Sequence, residues 1–349
     1  MKLLKRALIT VVVVIVVLMI GGLIYIDLSL PNLPKLTNKI IDNALKKSQY
    51  QLKGETGYAV NDNAKIWYEK IAPEDTLKGH VLLIMGVAND ALAWPDYFIQ
   101  PIVDSGYAVI RFDPRGTGKS DWFEDWTKEN AYSLDDIADD IIAIIDTLNV
   151  DSVHILGISF GGMIGQTVAI NYPERVATLI SISSTGDIMD PKLPGINLGT
   201  ISKLVMAQIR YGLIESEANQ LKLQVISRVI LSGSDTFDFN LENMVNRLLF
   251  NIRERNGYNS DVSEQHLLAT RISGSRYDGL NKLKIPTLVI HGTDDPLIPL
   301  VHGKKTYNNI SNADSLWIKG MGHDIPMDFN EIVINKIIQH LEKNPSLNE

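Results

Sequence analysis

Short apolar runs of strand type alternate along this chain with segments of helical periodicity. The runs are bounded by glycine, proline and polar residues, and they lie at positions 80–85, 107–113, 153–156, 175–183, 285–291 and 315–318. Strands that alternate with helices form a mostly parallel sheet, because each helix carries the chain back to the edge where the next strand starts. The pattern therefore predicts an α/β fold in which helices cover both faces of one sheet.

Two segments depart from this alternation. Residues 57–60 and 64–71 flank a turn-prone triplet and predict a hairpin before the first buried strand. Residues 186–282 lack buried-strand runs and have helical patterns instead, for example at 201–213 and 221–231. Because strand patterns occur on both sides of this stretch, we expect residues 55–185 and 283–349 to form one core. Residues 186–282 are then a helical lid insertion and not a separate domain.

The N-terminus carries a basic start followed by a long apolar run. Lys2, Lys5 and Arg6 precede residues 7–26, which contain no charge. As a helix this run is about 30 Å long, the thickness of a bilayer core. We therefore predict a transmembrane anchor in residues 1–26 and a stalk in residues 27–54. The flanking charges predict a single-pass protein of the cell membrane, with a cytoplasmic N-terminus and an extracytoplasmic catalytic domain.

A cleaved signal peptide is the main alternative for this N-terminal segment. Signal peptides have apolar regions of about 7–15 residues that end in an Ala-x-Ala-like site. The run here is longer and shows no such site. A buried helix of a soluble protein is a further alternative, but it does not explain the basic start.

Composition excludes several classes of function. The net charge is −8 and the pI is about 5.4, which argues against non-specific nucleic-acid binding. The chain has no cysteine. Disulfides, a thiolate nucleophile and a cysteine zinc site are therefore excluded.

The candidate nucleophile is Ser159, in the sequence Gly157-Ile158-Ser159-Phe160-Gly161 between a predicted strand and a predicted helix. A serine on so sharp a turn needs small residues two positions to either side. The turn raises the hydroxyl above the sheet, and the N-terminus of the following helix favours negative charge. This context makes the motif more specific than its five letters alone.

An unactivated serine is a weak nucleophile and needs a base that is oriented by an acid. Of the seven histidines, only His323 follows a predicted strand in a glycine-bounded loop and precedes a helix. We predict that His323 is the base. The others lie in strand or helix patterns that are typical of structural residues: His80, His154, His266, His291, His302 and His340.

For the acid, the best loop contains Asp294 and Asp295, directly after the strand at 285–291. Either aspartate could serve by composition, and we favour Asp295 because Pro296 biases its backbone toward an extended conformation. Asp187 and Asp190 are weaker alternatives. The chain order serine, aspartate, histidine is that of α/β-hydrolases.

The oxyanion of a tetrahedral intermediate needs two preorganised N–H donors. We predict that these are the backbone amides of Phe160, after the nucleophile, and of Val87, after Gly86 in the loop that follows residues 80–85. No metal or organic cofactor is expected.

The sequence from Gly116 to Ser120 is similar to the end of a phosphate-binding loop, but Asp113 occupies the position of the required first glycine. It predicts a tight turn, with Asp113 and Arg115 paired locally.

Several motifs in order resemble the α/β-hydrolase superfamily over roughly residues 55–345: LLIMGVANDALAWP, VIRFDPRGTGKSD, HILGISFGGMIG, IPTLVIHGTDDPLIP and IKGMGHDIP. The first two are also similar to the esterase branch that includes the aclacinomycin methylesterases. The resemblance implies an eight-stranded, mostly parallel sheet with a helical lid after strand six, and it also implies Asp295 as the acid. Many relatives have histidine before the oxyanion glycine, where this chain has Met85.

These residues together predict a membrane-anchored serine hydrolase, with a carboxylic ester as the small-molecule substrate. A lipid-like ester is plausible because of the anchor. Peptidase, thioesterase, lactonase and cofactor-free haloperoxidase chemistry remain alternatives, since the fold alone does not fix the reaction. A non-catalytic binding protein is a further alternative. The sequence does not determine the oligomeric state.

Overall fold

The computed structural model describes residues 21–22, 25–47, 50–62, 64–234, 236–259 and 261–346. Its centre is an eight-stranded sheet in the order β1-β2-β4-β3-β5-β6-β7-β8. The strands are β1 (Glu55–Asn61), β2 (Ala64–Ile71), β3 (Gly79–Ile84), β4 (Tyr107–Phe112), β5 (Val153–Ile158), β6 (Val176–Ile182), β7 (Thr287–Gly292) and β8 (Ala313–Ile318).

Only β2 runs against the direction of the other strands. Strand β1 pairs antiparallel with β2, and β2 pairs antiparallel with β4, whereas every pair from β4 to β8 is parallel. The mostly parallel sheet that the sequence predicts is therefore confirmed. Strand β3 lies between β4 and β5, so the connections after β3 and β5 leave in opposite directions and open a crevice at the carboxyl ends of the strands.

Helices fill the connections between the strands. They are α1 (Thr37–Lys46), α2 (Asp96–Asp104), α3 (Leu134–Thr147), α4 (Phe160–Asn171), α5 (Leu198–Gly212), α6 (Glu217–Ser232), α7 (Leu241–Glu254), α8 (Val262–Ile272), α9 (Tyr277–Leu280), α10 (Leu300–Asn308) and α11 (Met327–Lys343). The start of α3 shows how local chemistry sets a boundary. Ser133 and Asp136 cap each other's backbone there, the arrangement predicted by their spacing.

The core has a layer on each face of the sheet. On one face α3 and α4 bury isoleucines such as Ile137, Ile141 and Ile164 against the strands. On the other face α2 and α11 bury residues such as Phe98 and Ile337. Strands covered on both faces are buried along their whole length, which is why the central strands are mostly apolar and do not alternate with polar residues.

The stretch between β6 and β7 holds helices α5 to α9 above the carboxyl edge of the sheet. Helices α6 and α7 share a separate apolar cluster with α1, which includes Ile41, Val225 and Leu249. The segment predicted as a stalk thus places a helix against the lid. This cluster lies outside the two layers that cover the sheet.

Most of the predicted membrane span, residues 7–26, lies outside the described residues. Among the residues that the structure does describe, none of the helices has the length and apolarity that crossing a bilayer requires. The anchor therefore stays a prediction.

The turn after β4 forms, but its charged residues do not pair with each other. Arg115 donates to Asp140, with Nε 2.6 Å from Oδ2, and Asp113 forms an ion pair with Arg255. Asp113 also accepts hydrogen bonds from the amides of Ala91 and Lys119. The predicted local pair was wrong because both side chains are buried and find partners on other elements.

Candidate active site

The residues predicted to carry chemistry lie in four loops at the carboxyl edge of the sheet. Ser159 directly follows β5, and Val87 comes shortly after β3. Asp295 follows β7, and His323 follows β8. In open α/β sheets ligands bind at this edge. The fold thus brings together residues that are far apart in sequence.

Ser159 lies on a sharp turn between β5 and α4. Its backbone has φ of 56° and ψ of −119°, a conformation that costs a non-glycine residue of order 1–3 kcal/mol. A Cβ atom on Gly157 would collide with the carbonyl oxygen of Gly161, and one on Gly161 would collide with that of Ile84. Glycine is therefore required at both positions by close backbone contacts.

Neighbouring backbone holds this turn in place. The amide of Ser159 donates to the carbonyl of Ile182 over 2.8 Å, and the hydroxyl of Ser184 donates to the carbonyl of Ser159 over 2.7 Å. Ser159 is half-buried, whereas Ile158 and Phe160 are buried. The strained turn is thus stabilised by β6, and the first turn of α4 begins directly after the serine.

Asp295 and His323 form a hydrogen-bonded pair. Nδ1 of His323 is 2.8 Å from Oδ2 of Asp295. The other carboxylate oxygen accepts the amides of Leu297 and Ile298, each over 2.9 Å. Nε2 of His291 is 3.2 Å from Oδ2 and 2.9 Å from the carbonyl of Ile298. Donors therefore surround the carboxylate, which orients the imidazole of His323 with Nε2 away from it.

Burial and charge act in opposite directions on this pair. Burial by itself would raise the pKa of Asp295, but His323 and His291 lower it well below its usual range. Burial would lower the pKa of His323, but the charge and hydrogen bond of Asp295 raise it above the usual 6.5. Asp295 is therefore ionised at neutral pH, and His323 is a stronger base than an unperturbed histidine.

The alternative acids have other partners. Asp294 is exposed and accepts a hydrogen bond from Thr293 over 2.7 Å. Asp190 pairs with Lys305, and Asp187 accepts the amide of Met189. The structure therefore places only Asp295, among these candidates, within hydrogen-bond distance of His323.

The predicted oxyanion donors lie on either side of the serine. Val87 and the first residue of α4, Phe160, both line the cavity that contains Ser159. A Cβ built on Gly86 would be 3.5 Å from the Cβ of Ser159, so the loop after β3 passes close to the serine. An acyl carbonyl bound at Ser159 would thus lie between two loops that offer backbone amides.

The loop after β3 is held by a histidine of the lid. His266 on α8 is fully buried and stacks on the ring of Phe160, with ring centroids 4.5 Å apart. Its Nδ1 accepts the amide of Ala88 over 3.2 Å, and its Nε2 donates to the carbonyl of Arg115 over 2.8 Å. Burial lowers the pKa of His266 to about 4, so it is neutral at pH 7. Ala88 has φ of 59°, and this hydrogen bond helps to hold it there.

Ser159 and His323 face one cavity of about 360 Å³ between the sheet and the lid. Its wall is mostly apolar and includes Met85, Val87, Ile158, Met163, Ile188, Ile196, Ile201, Leu204, Leu231, Leu267, Leu297 and Ile298. A pocket of this size and character suits a small apolar ligand held by a few polar groups. In the described ranges, no cluster of three metal-binding side chains could hold an ion.

One arginine of the lid contacts two of the four loops at the carboxyl edge of the sheet. Arg228 of α6 lines the cavity and donates to Asp324 over 3.0 Å and to Asn89 over 3.1 Å. Asn89 in turn donates to the carbonyl of Val87 over 2.7 Å. Arg228 therefore connects the residue after His323 with the loop that carries the Val87 amide.

A comparison with protein families agrees with this geometry. The profile described as the alpha/beta hydrolase fold matches residues 79–329, which include all four loops. The chain belongs to the α/β-hydrolase family.

Within this family the chain is similar to methylesterases. It is 27% identical over 297 residues to the rhodomycin D methylesterase DnrP of Streptomyces peucetius, which covers 82% of this chain and 97% of that protein. The resemblance to the methylesterase branch is thereby confirmed. The chain is also 27% identical over 269 residues to a 2-hydroxy-6-oxononadienedioate/2-hydroxy-6-oxononatrienedioate hydrolase of Klebsiella pneumoniae, covering 74% of this chain and 86% of that one.

Solved structures share the fold of this hydrolase. An esterase from Rhodococcus sp. ECU1013 superposes with a TM-score of 0.63 at 17% identity, covering 84% of this chain and all of that chain (100%). A meta-cleavage product hydrolase from Pseudomonas fluorescens IP01 superposes with a TM-score of 0.60 at 21% identity, covering 84% and 99%. At these identities the likeness shows the fold alone.

Sequence reasoning did not find Arg228, Asp324 or the contact of His266. The periodicity of α6 contains a usable signal: Gln224, Ser227 and Arg228 recur at helical spacing among apolar residues, and all three line the cavity. Nothing in the sequence pairs His266 with Ala88, because that contact joins residues 178 positions apart.

The pH dependence of hydrolysis is expected to respond to Asp324. If His323 is the base, it must be neutral to accept a proton, and kcat/KM of this hydrolase should rise with pH through the pKa of His323, with a midpoint above 6.5. The charge of Asp324 stabilises the imidazolium, whereas that of Arg228 destabilises it. Asp324→Asn removes the first effect and leaves the second. We expect the acid limb to move to lower pH, as measured by kcat/KM from pH 5 to 9.

Asp294→Asn, at an exposed carboxylate, is the control and should leave the limb in place. A limb that stays in place or moves upward in Asp324→Asn would contradict this account.

Proposed function

We propose that this protein is a membrane-anchored serine hydrolase of carboxylic esters, with Ser159, His323 and Asp295 as its triad. The observation that carries the proposal is the Asp295–His323 pair, whose histidine lines the same apolar cavity as a serine on a strained strand-to-helix turn. In this arrangement a serine hydroxyl can be activated without a metal or cofactor.

The proposed reaction has two halves. The Oγ atom of Ser159 attacks the ester carbonyl carbon while its proton passes to Nε2 of His323. The resulting oxyanion accepts hydrogen bonds from the amides of Val87 and Phe160. The imidazolium then gives its proton to the departing alcohol, and an acyl-enzyme remains. Water, deprotonated by His323, attacks the acyl-enzyme and releases the acid and the free serine.

The apolar cavity favours esters with an apolar acyl or alcohol group. With the anchor in residues 7–26 and a cytoplasmic N-terminus, the catalytic domain of such a hydrolase acts at the outer surface of the cell membrane. Lipid-like esters meet both requirements.

The test is a series of p-nitrophenyl esters of increasing acyl length, hydrolysed by the full chain in vesicles. Each methylene that becomes buried contributes about 0.8 kcal/mol, so kcat/KM should rise about fourfold per methylene until the cavity is filled. A thioester, a lactone and a peptide of matched shape belong in the same panel. Hydrolysis of one of these without hydrolysis of any ester would overturn the proposal. If kcat/KM does not change with acyl length, the acyl group does not bind in the cavity.

A further inference from the structure

Helix α5 of the lid has an apolar face that is exposed. Leu198, Ile201, Val205 and Ile209, here called the lid stripe, have exposed fractions of 80%, 37%, 53% and 38%. Residues three or four positions apart lie on one face of a helix, so these four side chains form a continuous row. Leu213 and Ile214, directly after the helix, are also exposed, with exposed fractions of 71% and 73%. Contiguous apolar surface of this kind marks an interaction site.

The opposite face of α5 is already occupied. Ala207 is buried in the cluster shared by α1, α6 and α7, and Leu204 and Tyr211 pack against that cluster. The helix is therefore apolar on two sides. The lid stripe thus lacks the cover that the inner face has.

The apolar N-terminal run reaches the domain beside this helix. Asp27, the first charged residue after residues 7–26, forms an ion pair of 3.0 Å with Arg210 of α5. Leu30 then packs into the same cluster as Ala207. The predicted membrane segment therefore enters the fold beside α5, the helix that carries the lid stripe. Helix α5 carries no acidic residue, and its exposed Lys203 supplies a positive charge that suits anionic lipid headgroups.

The lid stripe shares a residue with the wall of the cavity that contains Ser159. Ile201 belongs to the lid stripe and also lines the cavity, as does Leu204 one turn further along α5. A surface in contact with the lid stripe thus lies against the wall of the space that contains Ser159.

We propose that the lid stripe rests on the lipid bilayer that residues 7–26 enter, and that apolar ester substrates reach Ser159 directly from the lipid. This inference rests on the anchor in the proposed function. It adds an orientation: the entrance of the cavity faces the membrane, and a substrate dissolved in the bilayer does not cross water.

The absence of cysteine from the chain allows a direct test. Val205→Cys introduces one thiol on the lid stripe, and Leu77→Cys introduces one at the amino ends of the strands, where Leu77 is 41% exposed before β3. The full chain, labelled with an environment-sensitive fluorophore at either site, is placed in phosphatidylcholine–phosphatidylglycerol vesicles whose acyl chains carry a nitroxide quencher. We expect quenching at Val205 to exceed that at Leu77 by about threefold or more, because interfacial helices bury their apolar face about 5–10 Å deep.

Three results would overturn the proposal, and flotation of the vesicles separates them. If the chain floats with the vesicles but the two sites are quenched equally, the chain is anchored and the lid stripe does not contact the lipid. If the chain does not float, neither the anchor nor the lid contact exists. If neither the lipid quencher nor aqueous iodide quenches the probe at Val205, the lid stripe is covered by a second copy of the chain. In every case, the rate at which the same labelled chain hydrolyses a water-soluble ester tests the serine hydrolase activity independently of the membrane contact.

A functional readout complements the depth measurement. Val205→Asp places a charge on the lid stripe, and Leu77→Asp is its matched control. We expect the ratio of the rate on a long-chain ester in vesicles to the rate on a soluble ester to fall about tenfold in Val205→Asp only. An unchanged ratio in Val205→Asp contradicts entry from the lipid.

Discussion

Ser159→Ala is expected to lower kcat for ester hydrolysis by about five to six orders of magnitude, the loss found when a triad serine is removed from other serine hydrolases. The remaining rate should still exceed that in water, because the cavity and the backbone amides of Val87 and Phe160 stay in place. The measurement is the initial rate on p-nitrophenyl butyrate with the full chain in vesicles. The strained backbone at position 159 is equally unfavourable for both residues, so stability should change little.

The matched control for this substitution is Ser227→Ala. Ser227 lines the same cavity, but its hydroxyl donates to the carbonyl of Leu223 over 2.8 Å within its own helix. We expect a change in kcat of less than about fivefold, since most substitutions away from reacting atoms cost little. Retention of a tenth or more of the activity in Ser159→Ala, with Ser227→Ala strongly impaired, would assign the reaction to another serine.

Asp295→Asn is expected to lower kcat by about four orders of magnitude, as in other triads in which this aspartate becomes asparagine. The carboxylate of Asp295 accepts Nδ1–H of His323, and this fixes the tautomer with a free Nε2. An amide nitrogen at the same place would donate, and it would favour the opposite tautomer. The acid limb of kcat/KM should also move to lower pH, because the carboxylate raises the pKa of His323.

Asp294→Asn is the matched control, since it makes the same change one residue earlier in the same loop. The carboxylate of Asp294 is exposed and accepts from Thr293. We expect activity within about twofold of the parent. If Asp294→Asn were the more damaging substitution, Asp294 and not Asp295 would orient His323. Circular dichroism and thermal melting show whether either variant is folded.

The sequence was informative about the sheet because each central strand is buried on both faces. Runs such as residues 107–113 and 285–291 are mostly apolar, so strand order along the chain and the alternation with helices could be predicted. Boundaries were less certain, since the ends of strands are fixed by pairing. Residues 285 and 286 read as strand, for example, but β7 begins at Thr287, where it pairs with Ala313 of β8.

The sequence also placed each candidate catalytic residue in a loop at the end of a strand, where glycines such as Gly157 and Gly322 mark close contacts. What it could not supply were contacts between the lid and these loops. Arg228 meets Asp324 across 96 positions, and the amide of His323 donates to the carbonyl of Leu231 over 2.8 Å. Such pairs depend on how α6 lies over the sheet, which no local pattern encodes. The packing of residues 30–46 against the lid was missed for the same reason.

The most direct test of the proposed mechanism is the position of a covalent adduct. The full chain in vesicles is treated with a fluorophosphonate, which reacts with activated serines, and the modified peptide is identified by mass spectrometry. We expect one adduct per chain, on Ser159, formed rapidly at pH 8 and lost in Ser159→Ala. A chain that stays unlabelled while it hydrolyses esters, or an adduct on any other residue, would contradict the assignment of Ser159 as the nucleophile.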